Sequence, residues 1–164
     1  MANPVVELIA LELVDRLENV TTANGFNQTL IVQRPLRLGV EQIKDRLAVV
    51  MLGDLSPGED DVDGNGYAQS WVQRYAVHLL SRPSERDTTP IETYLLRMWA
   101  DCVKAVTRKG ESNESSWHTF DGNSISALIQ PFIIDALEDD TSGMLTFSVD
   151  VTYRTNENDP YTAR

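Results

Sequence analysis

Cysteine occurs once in the 164 residues, at Cys102. No internal disulfide can form, which excludes a stapled secreted fold and suits a chain that folds in reducing surroundings. Its neighbours Asp101 and Val103 supply no cation to activate the thiol. Positive charge is scarce: 14 Lys and Arg against 25 Asp and Glu leave a formal charge of −11. Such a surface repels phosphates and argues against specific nucleic-acid binding. Long apolar runs are missing, since none approaches the ~18 residues of a spanning helix. Met1 to Pro4 carry no basic region, and Glu7 and Glu12 interrupt the apolar run that follows. Neither a signal peptide nor a membrane anchor is expected, and the reading is a soluble intracellular product.

What is present is ordinary globular material, 41% hydrophobic and 24% charged, in a length that suits one domain and buries roughly 68–70% of the unfolded surface. Asn3 as N-cap, Pro4 at the first helical position, and Val6, Ile9, Leu13, Leu17 and Val20 at spacings of three or four predict an amphipathic helix, with Asn24-Gly25 as its stop. Thr29 to Val32, ended by Pro35, and Leu47 to Leu52 predict short strands. Gly39 to Lys44 is ambiguous between a loop and a turn of helix. Residues 53–66 hold four glycines, one proline and five acids (Asp54, Glu59, Asp60, Asp61 and Asp63) with no basic residue, and predict an exposed loop carrying nearly half of the net charge. Tyr67 to Leu80 alternates as a long strand. Thr89-Pro90-Ile91-Glu92 has capping-box form, with Thr89 as N-cap, and opens a second helix whose stripe is Ile91, Leu95, Met98, Cys102 and Val106. Arg108-Lys109-Gly110 suits its end.

Residues 110–124 are polar and predict a loop pinned by Trp117 and Phe120. Ile125 to Ala136 is strand-like, with Pro131 marking an edge or bulge. Asp139 to Gly143 predicts a turn into the clearest strand, where Leu145, Phe147, Val149, Val151 and Tyr153 alternate with polar residues. Residues 155–164 predict a polar tail that stays mobile until something docks on it. The expectation is one α+β domain over 1–154: a mostly antiparallel sheet of four to five strands, two packed helices, and a long acidic loop between central strands.

Candidate chemistry is sparse. Asp61-Val62-Asp63-Gly64-Asn65-Gly66 imitates the first half of a calcium loop, with Asp61, Asp63 and Asn65 as oxygen donors. Position twelve is Val72, so the bidentate glutamate is missing and the segment reads as a solvated loop. His78 and His118 lie forty residues apart without zinc-ligand spacing. Ser115-Ser116 beside His118 has no activating turn around it. Gly64-Asn65-Gly66 lacks the lysine of a phosphate loop. Trp71, Tyr75, Trp99 and Trp117 read as packing groups in preference to a pocket. No enzyme, cofactor or metal is expected.

The order of these elements, with the closing Phe147-Ser148-Val149-Asp150-Val151-Thr152-Tyr153-Arg154 strand and Asp159-Pro160 beyond it, resembles the tail-terminator proteins of long-tailed bacteriophages, related in fold to the minor tail protein U of lambdoid phages. The resemblance implies a virion protein assembled in the host cytoplasm. Its copies would close into a ring, hexameric in the family, that stops tail-tube polymerisation, passes DNA through its channel and presents a docking face to the head connector. The partners implied are other copies of the chain, the tail tube protein, and a connector or neck protein, with no membrane. If Glu59, Asp60, Asp61 and Asp63 line the channel, they would repel passing phosphates; the alternative is a loop that faces solvent in the free monomer and orders on contact with the tube. Arg34, Arg37 and Arg46 would pair with acids of the neighbouring subunit at about 0–1 kcal/mol per exposed pair. Tyr161, in the polar C-terminal segment, is a further interface candidate. A neck or head-completion protein shares a similar architecture and is the alternative, and a calcium-binding module at 61–66 is the third reading.

Overall fold

A computed structural model describes residues 2–34, 45–58, 68–82, 88–108, 117–136, 142–156 and 159–163. The chain forms two α-helices on one face of a seven-stranded mixed sheet, an α+β fold. Helix α1 spans Val5–Glu18 and buries Val5, Ile9, Leu13 and Leu17, with Val20 continuing the buried row beyond its end. It starts one residue later than expected. Pro4 keeps an extended ψ of 153° and acts as N-cap, its carbonyl accepting from the N–H groups of Glu7 and Leu8. Proline fits either position because neither requires its missing N–H. After α1 the chain makes a 3-10 turn at Thr22–Asn24, where the Thr21 hydroxyl accepts from the Asn24 N–H, and Gly25 takes the left-handed φ of +80°. The glycine stop thus closes this second turn and not the helix itself.

Strand β1, Ile31–Gln33, pairs in parallel with β2, Leu47–Pro57, in the register Ile31↔Leu47. Parallel neighbours need a crossover of about a dozen residues, and thirteen lie between these two strands; positions 39–44 fall outside the described residues. Strand β3, Ala68–Ser81, runs antiparallel to β2 and, along its whole length, to β6, Gly143–Asn156. Burial along β6 alternates at every step, as the Leu145 to Tyr153 pattern predicts. Residues 53–57, expected in the acidic loop, instead extend β2, because each pairs with or bulges against β3. The remaining loop positions 59–66 fall outside the described residues.

Helix α2, Ile91–Val106, buries Leu95, Met98, Cys102 and Val106 on the sheet. Pro90 is its N-cap, so Glu92 lies one position too early for the expected Thr89–Glu92 box. The stretch around Pro131 divides as its missing N–H requires: β4 is Ser126–Ile129, β5 is Ile133–Ala136, and Gln130-Pro131-Phe132 steps between them. The tail is also ordered. Strand β6 runs on to Asn156, and β7, Asp159–Ala163, folds back against it. The sheet therefore has seven strands where four to five were expected, in the order β1-β2-β3-β6-β4, with β5, β4 and β7 tiling the outer side of β6 in succession. Among the described strands, only β1 and β2 pair in parallel.

The main core lies between the helices and the inner sheet face. Tyr75, Val77 and Leu79 of β3 and Leu145, Phe147, Val149 and Val151 of β6 pack there against both helices. The Tyr75 hydroxyl donates to the Val6 carbonyl at 2.8 Å, and Arg16 Nη1 donates to the Val106 carbonyl at 2.9 Å, joining the helices. Phe120 is fully buried beneath the Arg16 guanidinium, 4.5 Å from its ring centre. It thereby pins the segment before β4 as expected; the Trp117 side chain falls outside what the structure describes. On the opposite sheet face Leu47, Val49 and Leu80 form a smaller buried cluster with Met51 and Met144.

Candidate interaction surface

Strand register assigns every side chain to a sheet face. The helix-covered face takes Gln73, Tyr75, Val77 and Leu79 of β3 and the odd-numbered residues of β6. The other face, which no described helix covers, takes Arg74, Ala76 and His78 with their partners Asp150, Ser148 and Thr146. Arg74 grips Asp150 through two bonds of 2.8 Å, and Gln130 Nε2 adds a third donor to the same carboxylate at 2.9 Å. The Arg74 guanidinium, through these bonds, holds the Asp150 carboxyl below its ordinary range, and the carboxylate in turn raises Arg74. His78 Nδ1 lies 2.9 Å from the Thr146 hydroxyl, and burial lowers its pKa because the protonated ring loses hydration.

The arm formed by the distal half of β2 has a β-bulge. Leu52 is opposite Tyr75 and Leu55 opposite Gln73, so Gly53 and Asp54 together face Arg74. Gln73 is buried and holds this bulge: its Nε2 lies 3.0, 3.3 and 2.8 Å from the carbonyl oxygens of Gly53, Asp54 and Arg74. Gly53 fits closely there, since a Cβ would stand 3.2 Å from the Arg74 backbone oxygen. In a regular strand, residues three apart point to opposite faces. The extra residue returns both leucines to the helix-side face, and they project where α1 and α2 no longer cover them, 50% and 51% exposed.

At the opposite sheet edge two more aliphatic side chains are exposed. Leu128 of β4 is opposite Asp150 and is 61% exposed; Ile133 of β5 is opposite Thr146 and is 66% exposed. Both therefore belong to the face that no described helix covers. The outer side of β2 from Val50 onward has no strand beside it among the described residues.

Of the residues singled out from the sequence as interface candidates, Arg34, Arg46 and Tyr161 are among those described. Arg34 makes a bidentate pair with Glu7 of α1 at 2.7 and 3.0 Å, so its partner lies within the chain and fastens the end of β1 to the helix. Arg46 pairs with adjacent Asp45 and has a positive φ of 58°. Tyr161 is exposed on β7, and its N–H donates to the Asp159 carboxylate. Arg37, Glu59, Asp60, Asp61, Asp63 and Asn65, as well as Ser115 and Ser116, lie outside the described residues. Cys102 is fully buried, and burial pushes its thiol pKa up, with the Asp101 charge adding to the shift.

Residues that the sequence did not flag hold key joints. Asp101, buried on α2, accepts from both the backbone and the side-chain amide of Asn27, at 3.0 and 2.9 Å. Gln73 staples the bulge, and Gln130 completes the Arg74–Asp150 pair. Their only sequence signal is a polar residue within an apolar or alternating run, and their partners depend on register and on long-range packing.

Among the described residues, no three His, Cys, Asp or Glu side chains are grouped to hold a metal ion. No described helix is long and apolar enough to cross a membrane. No family model matches the sequence, and no curated protein matches it.

Proposed function

We propose that this chain is a structural virion protein of a long-tailed bacteriophage, a tail terminator. Its copies close into a ring, hexameric as the resemblance implies, that caps the tail tube, stops its growth and offers a docking face to the head connector. The observation that supports the reading is the order of elements: an amphipathic helix, two strands, return on a long strand, a second helix on the same sheet face, and then a long strand near the end, with the short β4 and β5 before it and β7 after it. The resemblance implies the helix, two strands, long strand, helix and late strand of this order. Two features suit assembly. One sheet face has no described helix over it, and exposed aliphatic side chains stand at both sheet edges, where natural sheets ordinarily place charge or cover.

The test mixes purified protein with polymerising tail tubes and counts tube lengths by electron microscopy, with the mass of the free protein measured across a concentration series. Tubes of held length with density capping their ends support the terminator. Tubes that grow unaffected overturn it, and binding to the portal-side connector in their place would assign the chain to the neck.

A further inference from the structure

Four dipeptides of the chain pair an acid or its amide with a glycine, whose missing side chain leaves its nitrogen unobstructed for ring closure onto the preceding side chain. They are Asn24-Gly25, Asp63-Gly64, Asn65-Gly66 and Asp121-Gly122. The middle two fall outside the described residues, and the outer two are held in opposite ways. At Asn24-Gly25 both reacting groups are engaged: the Asn24 side-chain amide donates to the Asn19 carbonyl at 2.9 Å, and the Gly25 N–H donates to the Thr22 carbonyl at 3.2 Å. The slower pair Asn123-Ser124 is tied in the same manner, with Asn123 Nδ2 donating to the Phe120 carbonyl at 3.1 Å and the Ser124 N–H to the Thr119 carbonyl at 2.9 Å. At Asp121-Gly122 both residues are exposed, and neither the carboxylate nor the Gly122 N–H has a hydrogen-bond partner among the described residues. Phe120, Asp121 and Gly122 also take consecutive positive φ values of 43°, 56° and 83°, a conformation that L-residues keep only where their surroundings impose it. The bonds of Asn123 and Ser124 impose it here and leave the Asp121-Gly122 link itself untied.

We propose that Asp121-Gly122 is a site of spontaneous isoaspartyl formation, whereas the fold keeps Asn24-Gly25 and Asn123-Ser124 in their encoded form. Intrinsic chemistry favours the reverse order, because an ionised carboxylate is a poorer electrophile than an amide. The fold inverts it, since a hydrogen-bonded N–H reacts only when its local structure opens. The turn that ends in Gly25 must open before Asn24 reacts, and Asp121 needs no such opening. In the reaction the Gly122 nitrogen gives up its proton and attacks Asp121 Cγ. The N–Cγ bond forms, a Cγ–O bond breaks, and water leaves. Water then adds to the main-chain carbonyl carbon of Asp121 and breaks its bond to the nitrogen, so that the chain continues through Cγ at unchanged mass. The product lengthens the main chain by a methylene inside the turn closed by the Asn123 and Ser124 bonds, and so loosens the seat of Phe120 beneath Arg16. It also exposes a new α-carboxylate, the acceptor for isoaspartyl-directed methyl transfer. The assignment is independent of the terminator reading.

The D121N variant separates structure from intrinsic reactivity, because it places two described Asn-Gly pairs in one folded molecule. The full chain is aged at neutral pH in buffer and, in parallel, in guanidinium, and loss of the amide at each position is followed by mass spectrometry. Cleavage after Lys and Arg puts residue 24, residues 63–66 and residue 121 in three different peptides, and fragmentation separates position 121 from Asn123. In buffer, conversion at position 121 is expected about tenfold or more faster than at Asn24, and in guanidinium the two rates should converge. Equal rates in buffer overturn the proposal. The wild-type chain gives a second readout through labelling by an isoaspartyl methyltransferase with S-adenosylmethionine. Label is expected at Asp121 in the folded chain, with Asn24 and Asn123 labelled only after ageing in guanidinium. A folded chain that stays unlabelled at Asp121 after the denatured control is labelled there overturns the proposal as well. D121E, whose longer side chain disfavours ring closure, should lose this label at an unchanged melting temperature, and label that persists in its peptide at position 121 or Gly122 counts against the assignment.

Discussion

Buried polar side chains join distant segments of this molecule. The carboxylate of Asp101 satisfies two donors of Asn27 across 74 positions of sequence. Replacing it by alanine strands a backbone N–H and should cost about 1–3 kcal/mol, read from urea unfolding. Tyr75 offers a cleaner case, because Y75F removes only the hydroxyl that caps the Val6 carbonyl. A loss of about 1 kcal/mol with unchanged packing is expected, and no change in midpoint would show that water replaces the bond. His78 brings pH dependence. Burial lowers its folded pKa below the ordinary 6.5, so the unfolded chain binds the proton more readily. Its contribution is complete above pH 6.5 and is lost as pH falls from there through the folded pKa. The imidazole proton resonances should titrate with a midpoint below 6.5, and the H78Q variant should lack this segment of the stability profile. Asp150 acts with the same sign at lower pH: its carboxyl is held below 3.8, and that contribution is lost as pH falls below this value.

A small residue decides the fit in two places, one where a strand meets a helix and one where two strands meet. Gly143 opens β6 directly beneath α2, and a Cβ there would stand 2.9 Å from both Ile91 Cγ1 and Leu95 Cδ1. G143V should push the helix from the sheet and destabilise by about 1–3 kcal/mol, visible as a lowered melting temperature. The arm is the second place. Without the Gln73 amide, the carbonyl groups of Gly53 and Asp54 lose their buried donor. Q73L should therefore loosen the bulge and accelerate amide exchange through 50–57 while β6 stays protected. Equal exchange in Q73L and the wild type would mean that backbone pairing alone sets the bulge. Both elements show why patterning reads a strand more readily than its irregularities: alternation along β6 is local, whereas a bulge is defined only against the facing strand.

Across the whole molecule, the described helices lie on one sheet face, and the other face carries the smaller buried cluster of Leu47, Val49 and Leu80 with no described helix over it. The two helices, the long strands around Tyr75 and Val149, and the break at Pro131 follow from periodicity and from proline's missing N–H, which act within a few residues. Those same local rules specify the core stripe from Ile9 to Val20, although Val5 and not the expected Val6 is fully buried at its start, and L13A should cost about 2–5 kcal/mol at its centre. The parallel pairing of β1, the extension of β2 through the glycine-bearing Gly53 to Pro57, and the return of the polar end as β7 are not local. Each depends on a partner strand that supplies hydrogen bonds to a segment with weak strand character of its own. Arg34 illustrates the same limit at a candidate interface, since its charge is plain in the sequence but its capture by Glu7 requires β1 to lie against α1. Leu52, Leu55, Leu128 and Ile133 look alike as aliphatic residues in strand-forming runs. Register, the bulge and the reach of the helices separate them from the core, because burial is a property of what lies opposite and above a side chain and not of the side chain alone.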